Sequence, residues 1–108
     1  MIAVIFGTRP ESIKLGPVVA ELRARHDPQT VISTGQHTTL LQGTPAETDL
    51  AGGITLGLAS DGDVLRWLAT ADVALRRTLA DLQPDLVVVQ GDTMSAVAGA
   101  RAAHALRG

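Results

Sequence analysis

Apolar residues in this chain come in short continuous runs separated by polar turns. Residues 2–6 (IAVIF) form the first run, rich in β-branched side chains and closed by Gly7-Thr8-Arg9-Pro10, which predicts a strand buried on both faces followed by a turn. In residues 11–25, Ile13, Leu15, Val18, Val19 and Leu22 fall roughly on one helical stripe. Gly16-Pro17 interrupts that stripe and predicts a kink or a late helix start. Asp27-Pro28 marks a turn, and residues 30–33 give a second β-rich piece ending at Thr34-Gly35-Gln36-His37.

From about residue 38 to residue 59 no period is sustained, and only Leu40 and Leu41 hint at a helical turn or two. Ser60 with Asp63 three residues on has capping-box spacing, and Asp61 and Asp63 suit the positive end of a helix. The helix expected there carries Val64, Leu65, Leu68, Leu75, Leu79 and Leu82 as its stripe, has Arg76 and Arg77 towards its end, and stops at Pro84. Residues 86–89 are four apolar positions in a row, followed by Gly91-Asp92-Thr93 and a small-residue helix over 95–106. Gly99 costs that helix about 1 kcal/mol of intrinsic propensity, a loss that close packing against a sheet would offset. Strands that are continuously apolar and alternate with helices predict an α/β fold, a parallel sheet with helices on both faces.

Composition narrows the function. Sixteen Ala, fourteen Leu and ten Val against one Phe, one Trp and no Tyr make the core aliphatic and leave almost no platform for stacking bases. Nine basic against eleven acidic residues, a net charge of -2, offer no broad cationic surface for nucleic acid or an anionic membrane. With no cysteine there is neither a disulfide framework nor a thiolate metal site. The opening MIAVIF has neither the flanks of a leader nor the length of a membrane span, so a cytoplasmic location is expected. At 108 residues the chain holds one domain at most.

In an open parallel sheet, ligands bind beyond the carboxyl ends of the strands. The turns at Gly7, Thr34 and Gly91 all fall there. If the third strand pairs with the first on the side opposite the second, giving the order 2-1-3, the first and last turns meet at a switch point. Arg9, Lys14 and Asp92 would then share a cleft, two cations suited to phosphate oxygens beside a carboxylate able to move a proton. Each has a plainer reading as well: Arg9 as a partner for Glu11, Lys14 as a solvated helix charge, Asp92 as a cap for the next helix. Gln36 and His37 divide evenly between loop polarity and ligand contact, whereas His26 and His104 read as ordinary helix positions and Trp67 as core or interface. Lys14 is followed by Leu15 rather than Ser or Thr, which excludes a phosphate loop of the Walker type. Arg9-Pro10 excludes the dinucleotide fingerprint. Three His at 26, 37 and 104 have no metal-ligand spacing, and no Ser-His-Asp set stands out.

Read together, FGTRPESIKLGPVVAEL, STGQH and PDLVVVQGDTMSAVAGARAA resemble the start of the non-hydrolysing UDP-N-acetylglucosamine 2-epimerases. The resemblance implies a three-layer, Rossmann-like domain, the N-terminal part of a two-domain fold of the glycosyltransferase-B type with the active site between the domains. It implies interconversion of UDP-N-acetylglucosamine and UDP-N-acetylmannosamine, for cell-envelope polysaccharide biosynthesis, with no nicotinamide and no metal. Loss of the C2 proton with departure of UDP gives 2-acetamidoglucal, and readdition of UDP with protonation from the other face gives the epimer. Arg9 and Lys14 match family residues associated with the nucleotide diphosphate, Asp92 matches the first catalytic acidic residue, and Gln36 and His37 fall in the matching STGQH turn. Gln90 stands where family members commonly have His, and Met94 where a hydroxyl residue is usual. The chain ends before the expected His-x-Glu-Ala-Gly segment, so the remaining catalytic residues and a second domain are expected to be absent, residues 1–108 forming an incomplete first domain without turnover of its own. Full-length members are expected to be homodimers, and this chain, with an uncovered third strand, to self-associate. A nucleotide-sugar glycosyltransferase and a non-catalytic interaction module remain as alternatives.

Overall fold

The computed structural model describes residues 1–35, 43–44, 49–50, 52–58, 62–91 and 94–107. Strand β1 (Ile2–Phe6) leads into helix α1 (Arg9–Ala24), β2 (Gln29–Ser33), a two-residue β3 (Ile54–Thr55), α2 (Val64–Leu82), β4 (Leu86–Val88) and α3 (Met94–Arg107). The sheet is parallel with order β3-β2-β1-β4. β1 is flanked by β2 from Ile2↔Gln29 to Phe6↔Ser33 and by β4 from Ile2↔Leu86 to Val4↔Val88. The 2-1-3 order expected for the three predicted strands is therefore the one found.

β1 divides its side chains between two cores, as a doubly covered strand must. On one face, Ala3 and Ile5 join Ile32, Ala71, Leu75 and Leu79 of α2, and Ala98 and Ala102 of α3. On the other, Val4 and Phe6 join Val31, Leu15 and Val19 of α1, and Leu50. The small residues of α3 let it settle closely on the sheet: a Cβ at Gly99 would come 2.9 Å from Val89 Cγ1 and 3.2 Å from Ile5 Cδ1. β3 has no sequence signature because it is two residues long. It reaches β2 through Gly53, where a Cβ would overlap the Val31 carbonyl and lie 3.0 Å from Val31 Cβ.

Several expectations need correction. α1 does not start late at Gly16-Pro17; it begins at Arg9 and runs 16 residues with Pro17 inside it. Pro17 is exposed and Gly16 buried, so the ring stands outward and the glycine faces the sheet. Burial of Ser12, Leu15, Gly16 and Val19 outweighs the one backbone hydrogen bond that proline forfeits. The buried stripe is consequently shifted from the predicted one, and Ile13 (50%) and Val18 (41%) are exposed. α2 begins at Val64, with Asp63 as its N-cap accepting from Arg66 N–H at 3.0 Å; this replaces a start at Ser60, which lies outside the described residues with Asp61. Val64 and Leu65 accordingly occupy the overhanging first turn and are exposed, while Ala71 fills the gap between Leu68 and Leu75. Arg76 lies before the last turn, paired with Asp72 at 2.9 Å. Gln83, in the left-handed region at φ 51°, closes α2 by donating its N–H to the Leu79 carbonyl. The helical hint at Leu40 and Leu41 lies outside the described residues.

Candidate functional site

The carboxyl ends of β1, β2 and β4 lie side by side, and the turns that leave them carry the candidate residues. Gly7 sits at the centre. Thr34, just past β2, and Ser95, in the first turn of α3, are both buried, and their hydroxyls share a hydrogen bond of 2.8 Å beneath it. A Cβ at Gly7 would overlap both hydroxyl oxygens and lie 2.8 Å from Ser95 Cβ, so only glycine fits where the turn crosses this pair. The same bond ties β2 to the start of α3 across β1, and the Thr34 N–H adds a donor to the Phe6 carbonyl at 3.0 Å.

On the other side of the turn stands Glu11. Thr8 caps α1 in an extended conformation, with Pro10 in the first turn, and Glu11 completes a capping box. Thr8 Oγ1 accepts from the Glu11 N–H at 3.4 Å, while Glu11 Oε2 accepts from Gly7 N–H at 2.6 Å and Thr8 N–H at 3.3 Å. Glu11 is 2% exposed. Burial raises its pKa above the usual carboxylate value, and the two backbone donors oppose that shift without cancelling it. Ser12 Oγ donates to the Arg9 carbonyl at 2.6 Å, fixing the first helical residue from inside the turn.

Arg9 and Lys14 are both exposed on α1. Five residues apart, they are separated by about 140° around the axis and about 7.5 Å along it. Arg9 therefore belongs to the turn above Gly7, whereas Lys14 faces away from the buried stripe. Gln36, His37 and Asp92 lie outside the described residues, although Gly35 and Gly91, which bound their turns, are within them. Residue-level reading missed Glu11, Thr34 and Ser95. The Thr-x-x-Glu spacing of a capping box could have revealed the first, whereas nothing in sequence links a Thr and a Ser 61 residues apart. Beside this cluster a small apolar hollow of about 110 Å³ separates the starts of α2 and α3, lined by Gly62, Asp63, Val64, Trp67 and Met94. A larger one, about 340 Å³, lies at the opposite end of β4 against the end of α3.

An open parallel sheet covered on both faces, with polar turns at its carboxyl ends, defines a Rossmann-like α/β domain. Comparison with known proteins narrows the class. The sequence model of the UDP-N-acetylglucosamine 2-epimerase family matches residues 20–107. The UDP-N-acetylglucosamine 2-epimerase of Neisseria meningitidis is 34% identical over 102 residues, and that of Bacillus subtilis 33% over 101, each match covering 92% of this chain and 27% of the relative. Among solved structures, the Neisseria meningitidis UDP-GlcNAc 2-epimerase bound to UDP-GlcNAc superimposes with a TM-score of 0.87 at 29% identity. The Methanocaldococcus jannaschii enzyme in complex with UDP-GlcNAc and UDP does so with 0.85 at 31%; each match covers 98% of this chain and 30% of the other. This chain belongs to the UDP-N-acetylglucosamine 2-epimerase family, and it spans just over a quarter of the length of the relatives it matches. Among the described residues no helix is long and apolar enough to cross a membrane.

Proposed function

We propose that this chain carries one wall of a nucleotide-sugar site and serves the interconversion of UDP-N-acetylglucosamine and UDP-N-acetylmannosamine. The observation that carries the reading is family membership joined to the placement of the Gly7 turn between two neighbouring strand ends, with an exposed cation at Arg9. In this reading Arg9 binds the diphosphate of the substrate, with Lys14 as the second cation on the outward face of α1. Asp92 handles a proton at the sugar, and Gln36 and His37 contact the ligand from the second turn. The C2 proton leaves to a base as the C1–O bond to UDP breaks, forming the C1–C2 double bond of 2-acetamidoglucal; UDP then re-adds at C1 while C2 is protonated from the opposite face. Two proton transfers on opposite faces need more acid and base groups than Asp92 supplies. The 108 residues are proposed as the incomplete first domain of a two-domain enzyme that works in the cytoplasm as a homodimer.

Two measurements test this reading. Incubation of the 108-residue chain with UDP-N-acetylglucosamine, followed by proton NMR, is expected to show no manno epimer; steady turnover would refute the division of labour. Titration with UDP should give saturable binding that Arg9→Ala weakens about tenfold, the loss expected for one charge-assisted phosphate contact. Equal binding by the two proteins removes Arg9 from the site.

A further inference from the structure

We infer that Glu11 is a positioning residue of this nucleotide site: its carboxylate takes the backbone donors of the Gly7 turn, so that the Arg9 guanidinium, not the peptide N–H groups, meets the ligand's diphosphate. The inference rests on the nucleotide-sugar reading above. A glycine turn running from a parallel strand into a helix ordinarily offers its N–H groups to an anion. Here the protein supplies the anion itself. Gly7 and Thr8 N–H both donate to Glu11 Oε2, and the carboxylate is sealed from water. A diphosphate oxygen seeking the same donors would have to come against a buried negative charge or expel it, and either is unfavourable.

The opposite side of the turn is equally constrained. Gly7 rests on the Thr34–Ser95 hydroxyl pair with no room for a methyl group. Between these two walls the chain enters α1 along one path: Thr8 is extended at φ -127° and ψ 161°, and the Arg9 carbonyl is held by Ser12 Oγ. The Arg9 backbone is thereby fixed at the mouth of the turn, and its exposed side chain extends from that anchored base. Loss of the Glu11 carboxylate would release the turn and let Arg9 sample positions from which it no longer reaches the ligand, a cost in pre-organisation rather than in contact.

The test is an NMR titration of the 108-residue chain with UDP-N-acetylglucosamine for the wild type, E11A, E11Q and R9A, each with a thermal melt. In the wild type the Arg9 Nε–H signal should move on binding, while the Gly7 and Thr8 amides, already bound to a carboxylate, should move little. E11A should bind about tenfold more weakly. E11Q, which keeps an acceptor oxygen, should stay within about threefold of the wild type and keeps the test readable if E11A does not fold. Two results overturn the inference: E11A that melts lower yet binds with wild-type affinity, or large movement of the Gly7 and Thr8 amides on binding in the wild type or in E11Q. Failure of the underlying nucleotide reading has its own signature, in which no wild-type signal responds to ligand although the Gly7 amide still changes position in E11Q; the inference then falls with it.

Discussion

The two ends of β1 each hold a carboxylate against a backbone nitrogen, and the two contacts behave in opposite ways. At the carboxyl end, Glu11 is buried and accepts from two peptide N–H groups, and its pKa is raised because desolvation outweighs the hydrogen bonds. At the amino end, Asp85 meets the Met1 ammonium at 2.6 Å with its side chain 86% exposed, and its pKa is lowered by that hydrogen bond and by the charge behind it. Distance alone does not separate them, since the shorter bond of Glu11 is also 2.6 Å. Water does. A solvated ion pair is screened and worth little, whereas a buried carboxylate with fixed donors dictates the path of the chain around it. The strand thus has its anchored, buried carboxylate at the end where the Gly7 turn lies and its solvated one at the other.

The strongest way to break this contrast is at Gly7. Gly7→Ala places a methyl group into the Thr34 and Ser95 hydroxyls and is expected to cost about 3 kcal/mol or more, read as a fall in denaturation midpoint; a variant as stable as the wild type would mean the turn has slack after all. Next in size is the hydroxyl pair itself. Thr34→Val and Ser95→Ala should each cost about 1–3 kcal/mol by stranding a buried partner. The double variant should cost less than the sum, and strict additivity would dissolve the link.

The smallest effect sharpens the comparison through pH. The raised pKa of Glu11 gives a stability contribution that is complete below the ordinary carboxylate range and is lost as pH rises through its folded-state value. The lowered pKa of Asp85 gives the reverse, a contribution present above the ordinary carboxylate range and lost as pH falls through its folded-state value. Relative to Glu11→Gln, the wild type should therefore lose stability as pH climbs through the mildly acidic range. Relative to Asp85→Asn it should instead gain stability at more acidic pH, as pH climbs towards the ordinary carboxylate range, by a margin that salt erases. Parallel curves for both variants would show that the two ends do not differ.

Much of the frame was legible in the order of residues. The runs at 2–6, 30–33 and 86–89 marked three strands because continuous apolar stretches suit a sheet covered on both faces, and their 2-1-3 order emerged as expected. β3 escaped because two residues between glycines carry no period. The α1 stripe differs from the predicted one because its buried face includes Ser12 and Gly16, which an apolar pattern does not mark, while the apolar Ile13 and Val18 are exposed. The capping box at Thr8 and Glu11 starts the helix at Arg9, and the face that meets the sheet tolerates a glycine and turns the proline outward. Ser60 looked like a cap because Asp63 followed it, whereas Asp63 is itself the cap. At the site, exposed charge was easy to pick out, as with Arg9 and Lys14. The groups that hold Arg9 in place are buried and neutral or self-satisfied, and Thr34 and Ser95 meet only because β1 passes between their elements.

Trp67 has a practical consequence. It is the chain's one tryptophan, with no tyrosine to absorb beside it or pass energy to it, and it lines the hollow between Val64 and Met94, the latter one residue from Ser95. Excited at the red edge of its absorption, the protein therefore emits from one indole at one known address. Shifts in colour or quenching then report events at the carboxyl end of the sheet without any label being attached.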